Sequence, residues 1–204
     1  MAVIPRPHDL LRLTPDAALG DALPPWASAS LAACPWGVVR RAPRPPGLVP
    51  VGVRGPERWQ RHPVLLPVGE VTCSVPPEEL RERRPCLPRF AAALSAVALR
   101  LATELDGDTG WGPVGSVGFE LATGQPTAHP ESDLDLLIRT PRRLSRTRAA
   151  RLVAAFTGLA VRVDCQLETP AGGVGLTEWA RPGGLVLART DHGPRMVRDP
   201  WVCG

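Results

Sequence analysis

Proline and glycine set the first limit on this chain. They number 25 and 20 among 204 residues, are dispersed, and follow no repeat period. Proline removes a backbone donor and glycine loosens the backbone, so a chain punctuated this way is built from short elements joined by many turns. The missing period excludes a collagen-like fibre, and the dispersion argues against a disordered linker. Hydrophobic residues make up 44% of the chain, enough for a core, while aromatics are only 4% and Tyr is absent, so Ala, Leu and Val must fill most of it. The longest uncharged run, residues 22–39, contains Pro24, Pro25 and Pro35 and cannot form an uninterrupted membrane helix. The opening MAVIPRPHDLLRL has no apolar signal-peptide segment, and the five cysteines (Cys34, Cys73, Cys86, Cys165 and Cys203) are odd in number and form no Cys-x-x-Cys. Both features lead us to expect reduced thiols in a cytoplasmic protein.

The punctuation changes character along the chain. WGVVRRA (36–42), GLVPVGVRG (47–55) and WQRHPVLLPV (59–68) read as strands separated by proline-rich turns, and HDLLRL and PPWASASLAA as short helices. SVPPEELRERRP (74–85) reads as a short helix or linker. Beyond it, residues 87–107 place Phe90, Leu94, Val97, Ala98, Leu101 and Leu105 on one helical face, and residues 145–158 carry a second stripe, Ala149, Leu152, Val153 and Phe156, stopped at Gly158. LAVRVDCQLET (159–169) alternates as a strand. GLTEWARPGG (175–184) is a turn or two of helix, and 184–200 a hairpin. The expectation is an α+β chain: a small β-rich N-terminal domain over 1–80 and a larger domain over 81–204, with a mixed sheet flanked by helices.

GSVGFELATGQPTAHPESDLDLLIR (115–139) carries the chemistry. If 133–139 is a strand, Leu134, Leu136 and Ile138 face the core, and Asp133 and Asp135 share the opposite face about 7 Å apart. Bare carboxylates in so apolar a run need a cationic partner. Mg²⁺ is bound through one or two carboxylates together with phosphates and water, so the paired acids point to that ion. In VRVDCQLE, Val161, Val163, Cys165 and Leu167 form the apolar set and Asp164 the opposite one, so an adjacent strand would bring a third acid to the site. Three such carboxylates suit two Mg²⁺ ions and a displacement at phosphorus. Gly115, Ser116 and Gly118 read as a tight turn entering a helix that stops at Gly124, an anion site where the backbone approaches phosphate closely. Arg139 shares the carboxylate face and is a further candidate for substrate. His8, Arg54, His129 and Glu168 are weaker candidates. A nucleic-acid binder would need a basic stripe interleaved with aromatics; here the basic residues, all Arg, are scattered and aromatics are few.

Gly-Ser, Asp-x-Asp and a later strand carboxylate resemble the nucleotidyltransferase superfamily of the polymerase-β type. WGPVGSVGFELATGQPTAHPESDLDLLIR, RVDCQLETP, PRPHDLL and VPVGVRG resemble one family across nearly the whole chain: the malonate decarboxylase holo-acyl-carrier-protein synthases, or phosphoribosyl-dephospho-CoA transferases. The resemblance implies a nucleotidyltransferase-type sheet. It implies transfer of the phosphoribosyl-dephospho-CoA prosthetic group from 2'-(5''-triphosphoribosyl)-3'-dephospho-CoA to a serine of the apo acyl-carrier subunit, with release of pyrophosphate. The family's two catalytic aspartates fall on Asp133 and Asp135. Asp164 is the candidate to ligate the metal near the attacking serine. The competing readings are another metal-dependent nucleotidyltransferase, acting on a small hydroxyl compound or an RNA end, and a binding module with a decayed site, which three intact carboxylates argue against. No nucleic-acid or membrane partner is expected.

Overall fold

A computed structural model describes residues 4–15, 17, 19, 23–57, 59–107 and 109–202, so Cys203 lies outside the described residues. The fold is α+β, in two compact units, Met1–Pro76 and Pro77–Gly204.

The N-terminal unit comprises β1 (Leu10–Leu13), α1 (Pro25–Ala33), β2 (Trp36–Val39), β3 (Leu48–Arg54), β4 (Arg61–Pro67) and β5 (Val71–Val75). Its sheet runs β4-β3-β2-β1-β5, antiparallel throughout. Alternation in β3 sends Val49, Val51 and Val53 into a core shared with Leu11, Leu13, Val39, Val64 and Leu66, and Ala27 of α1 closes on it. HDLLRL is not the expected short helix. Leu10, Leu11 and Leu13 are buried in β1, which hydrogen-bonds to β2 on one side and β5 on the other. The apolar spacing of that segment suits helix and strand alike, and two waiting sheet edges decide it. The segment 74–85, expected as a short helix or linker at the domain boundary, starts as the end of β5, holds the division between the units at Pro76 and Pro77, and continues in a 3-10 turn, Pro77–Glu79.

The C-terminal unit contains α2 (Pro88–Glu104), β6 (Trp111–Pro113), α3 (Gly115–Thr123), β7 (Leu134–Arg139), α4 (Arg146–Phe156), β8 (Val163–Thr169), β9 (Gly172–Gly175), α5 (Leu176–Ala180), β10 (Val186–Thr190) and β11 (Gly193–Val197). The sheet order is β11-β10-β9-β8-β7-β6. Only β7 and β8 are paired in parallel among the described strands, with α4 as the crossover between them. The α2 stripe is as expected at Phe90, Leu94, Val97 and Leu101, but Ala93 takes the buried place expected of Ala98, which is exposed. Ser145 caps α4 by accepting from the Arg148 N–H at 3.2 Å. Trp179 of α5 is wholly buried, donates its indole N–H to the Leu144 carbonyl at 2.9 Å, and carries the Arg146 guanidinium 4.0 Å from its ring. The strand expected from 159 begins at Val163. No helix among the described residues is long and apolar enough to cross a membrane.

Candidate functional site

The candidate site forms where β6 turns into α3 beside the parallel strands. Gly115 has φ +63°, and a Cβ there would lie 1.9 Å from Asp135 Oδ2, so both the backbone conformation and the neighbouring carboxylate demand glycine. The Val114 N–H donates to the Asp135 carbonyl at 2.9 Å, fastening the turn to β7. Gly118 lets α3 close on β6, since a Cβ there would meet the Pro113 carbonyl oxygen at 2.6 Å. The helix stops at Gly124, which takes the left-handed conformation as a C-terminal cap. No side chain caps the α3 N-terminus. Its leading N–H groups have no intrahelical partner, which is the arrangement that binds anions. Ser116 stands in this first turn, and its carbonyl accepts from Thr127 Oγ1 at 2.8 Å.

The parallel register sets Asp135 directly opposite Asp164, so the two backbones run about 4.8 Å apart and both side chains leave the same face. Leu134, Leu136, Cys165 and Leu167 are buried on the other face. Asp133 immediately precedes β7, with Arg162 Nη1 3.7 Å from its Oδ2. Both side chains are solvated, so the pair is weak and leaves Asp133 open to a stronger cation. Among the described residues, no three His, Cys, Asp or Glu side chains are gathered tightly enough to hold a metal by themselves. What the fold assembles is the Asp135–Asp164 pair against the Gly115 turn, with Asp133 at the strand's start.

Arg139 is not gathered with the aspartates. It lies four residues beyond Asp135, about 13 Å along the strand. It is buried, and its Nε donates to Glu78 Oε1 at 2.7 Å. This ion pair ties the 3-10 turn to β7. Glu168 is the register partner of Arg139 on β8, at the same distant end. His129 is exposed, and its N–H donates to Ser132 Oγ at 3.0 Å in the loop ahead of Asp133. His8, half-buried with φ +72°, and Arg54, which ends β3, belong to the N-terminal unit. Cys165 packs behind the site; burial, reinforced by the charge of Asp164, pushes its thiol far up.

Two acidic residues escaped the sequence reading. Glu78 partners Arg139. Glu120, in α3, is 3% exposed and accepts from three backbone N–H groups, those of Cys86, Thr127 and Ala128. Its charge, and its hydrogen bond with the exposed Cys86 side chain, raise that thiol above the usual range. The only local hint was a lone Glu amid the apolar residues of GSVGFELA.

A family model described as phosphoribosyl-dephospho-CoA transferase MdcG C-terminal domain matches residues 79–200, and one described as the N-terminal domain of the same transferase matches residues 6–77. The phosphoribosyl-dephospho-CoA transferase of Pseudomonas aeruginosa is 44% identical over 198 residues, 97% of this chain and 94% of its own. That of Pseudomonas fluorescens Pf-5 is 47% identical over 197 residues, 96% of this chain and 93% of its own. That of Azotobacter vinelandii is 44% identical over 203 residues, 98% of this chain and 95% of its own. No solved structure matches. With both family models matched in order and relatives aligned along almost their full length, the chain belongs to the phosphoribosyl-dephospho-CoA transferase family.

Proposed function

We propose that this chain transfers the phosphoribosyl-dephospho-CoA group from 2'-(5''-triphosphoribosyl)-3'-dephospho-CoA to a serine of the apo acyl-carrier subunit of malonate decarboxylase, by nucleotidyltransferase-type chemistry in the cytoplasm. The supporting observation is the in-register Asp135–Asp164 pair beside the Gly115–Ser116 turn. In the reaction the serine oxygen bonds to the α-phosphorus, the bond from that phosphorus to the bridging oxygen of pyrophosphate breaks, and a phosphodiester remains.

Mg²⁺ binds through one or two carboxylates, with substrate phosphate and water completing its octahedron, and an adjacent aspartate pair suits that donor set. Asp133, Asp135 and Asp164 would hold it, two ions in the full site, where it would neutralise the leaving pyrophosphate and sharpen the attacking hydroxyl. The chain's own groups do the positioning. The α3 N–H groups and the Ser116 hydroxyl receive phosphate oxygens at the turn. Asp164, on the β8 side of Asp135, faces the acceptor and takes the serine proton. The Gly115 turn, pressed against Asp135, keeps phosphate and carboxylates in adjacent positions, so little reorganisation is needed during transfer.

The test is incubation with purified apo carrier subunit, the triphosphoribosyl donor and Mg²⁺, followed by mass spectrometry of the carrier. A phosphoribosyl-dephospho-CoA adduct on serine, with equimolar pyrophosphate, is the expected outcome. An unmodified carrier overturns the assignment. Nucleotide transfer from ATP to a small hydroxyl compound or an RNA end would replace it with another nucleotidyltransferase activity.

A further inference from the structure

The ten residues from Gly124 to Asp133 lie in neither helix nor strand, yet they deliver Asp133 to the site. What fixes them is a set of hydrogen bonds centred on Glu120. Its Oε1 accepts from the Cys86 N–H at 2.9 Å, just ahead of α2, and its Oε2 accepts from the Thr127 and Ala128 N–H groups, each at 3.2 Å. Thr127 adds a second tie through its hydroxyl, donated to the Ser116 carbonyl at 2.8 Å. Farther along, Arg89 donates to the Pro130 carbonyl, and His129 and Ser132 close a small loop by reciprocal bonds of 3.0 and 2.9 Å.

Glu120 occupies a position where its helix neighbours Val117, Phe119 and Leu121 are buried and apolar. A carboxylate there costs desolvation that an apolar residue would not. Three backbone N–H groups compensate it, and all three belong to segments with no ladder of their own. Glu120 also stands five residues from Gly115 on one helix, about 7.5 Å along its axis. A single side chain thus joins the phosphate-binding end of α3 to the segment that carries Asp133.

We propose that Glu120, with Thr127, is the positioning pair that locks the Asp133 segment onto α3, so that phosphate turn and Asp133 form one preorganised receptor for the Mg²⁺-bound donor. The proposal rests on the donor and metal assigned above. Gln at 120 keeps the shape but presents an NH₂ where N–H donors converge. The segment loosens, and the consequence falls on donor and metal rather than on the carrier protein.

Wild-type, Glu120→Gln and Thr127→Val proteins are titrated with the triphosphoribosyl donor over a range of Mg²⁺ concentrations by calorimetry, alongside amide hydrogen exchange and melting curves. In Glu120→Gln the amides of Cys86, Thr127 and Ala128 should exchange faster. Donor affinity should fall about ten- to a hundredfold, the equivalent of one hydrogen bond to a charged group, and the Mg²⁺ midpoint should rise while the KM for carrier protein stays put. Thr127→Val should move donor affinity the same way by a smaller factor. A purely structural Glu120 would lower the melting temperature with donor affinity and Mg²⁺ midpoint unchanged, and that result in the folded Gln protein overturns the proposal. Should the Gln protein fail to fold, wild-type donor affinity in Thr127→Val overturns it. A wild-type protein that binds no donor counts against the proposed function instead. Even then, unchanged exchange at Cys86, Thr127 and Ala128 in Glu120→Gln removes the lock.

Discussion

Among the described strands, the sheet of the N-terminal unit is antiparallel throughout, whereas that of the C-terminal unit contains a single parallel pair, β7 with β8. In an antiparallel ladder neighbouring strands start at opposite ends, so residues near their starts are kept apart. A parallel pair joined by a crossover helix sets two starts side by side. Asp135 and Asp164 become neighbours only because α4 carries the chain back to the same end. The antiparallel unit gathers valines and leucines of β1 to β4 into one core. The lesson is that the groups proposed to react collect at the one seam, among the described strands, whose pairing rule differs, beside the N-terminus of α3.

The largest expected effect tests that seam. Asp135→Asn retains size and one acceptor oxygen but loses the charge set against Asp164. Removing one preorganised electrostatic stabiliser costs about 10²–10³ in rate, and transfer to the carrier subunit should fall by at least that much. The protein should still fold, because Asn keeps the size of the side chain beside the Gly115 turn, and a melting curve checks this. Asp164→Asn should behave alike. A folded Asp135→Asn protein with wild-type transfer in the mass-shift assay would move the chemistry away from the parallel pair.

The next effect belongs to the antiparallel unit. Leu66 in β4 is wholly buried in its core. Leu66→Ala should destabilise by about 2–5 kcal/mol through lost transfer energy and a residual cavity. If the two sheets open separately, amide exchange should accelerate across 48–67 and stay unchanged across 134–169. Equal acceleration in both would show one cooperative unit and weaken the comparison.

Much of this architecture was legible in the sequence wherever the determining forces are local. The Gly115–Ser116 turn, the stop at Gly124 and the alternation around Asp135 and Asp164 are set by backbone conformation and side-chain period, which a sequence displays directly. β1 is not legible in the same way, because Leu10, Leu11 and Leu13 satisfy two periods and only the flanking strands choose between them. Ala98 lies outside although it falls on the apolar stripe, because a helical stripe marks a face more broadly than the packing uses. Glu120 and Glu78 were invisible for another reason. Their partners, Cys86 and Thr127 for one and Arg139 for the other, become neighbours through tertiary folding, and nothing in either segment alone announces the pairing. The same holds for Arg139, whose place on the carboxylate face suggested substrate until its distance along the strand and its buried ion pair were known.

The smallest effect distinguishes the units through their cysteines. Cys73 lies exposed in β5 of the N-terminal unit. Cys86 is exposed too, but the Glu120 charge raises its thiol and lowers the thiolate fraction available for attack. Cys165, in β8, is buried, and burial followed by the Asp164 charge pushes its thiol far above the ordinary range. Of these three thiols, iodoacetamide at mildly alkaline pH should therefore modify Cys73 first, Cys86 more slowly, and Cys165 only when the C-terminal unit opens, as read by peptide mass spectrometry over time. Cys165 also fixes the sign of a pH dependence. Above the ordinary thiol range the unfolded chain loses this proton while the folded chain keeps it, so the unfolded state binds fewer protons and stability falls as pH rises. Cys165→Ala should flatten that alkaline decline and lower stability at neutral pH through the cavity it leaves. Native alkylation of Cys165 at the rate of Cys73 would mean that β8 is open at its core face, and the parallel seam would lose the rigid backing on which the position of Asp164 depends.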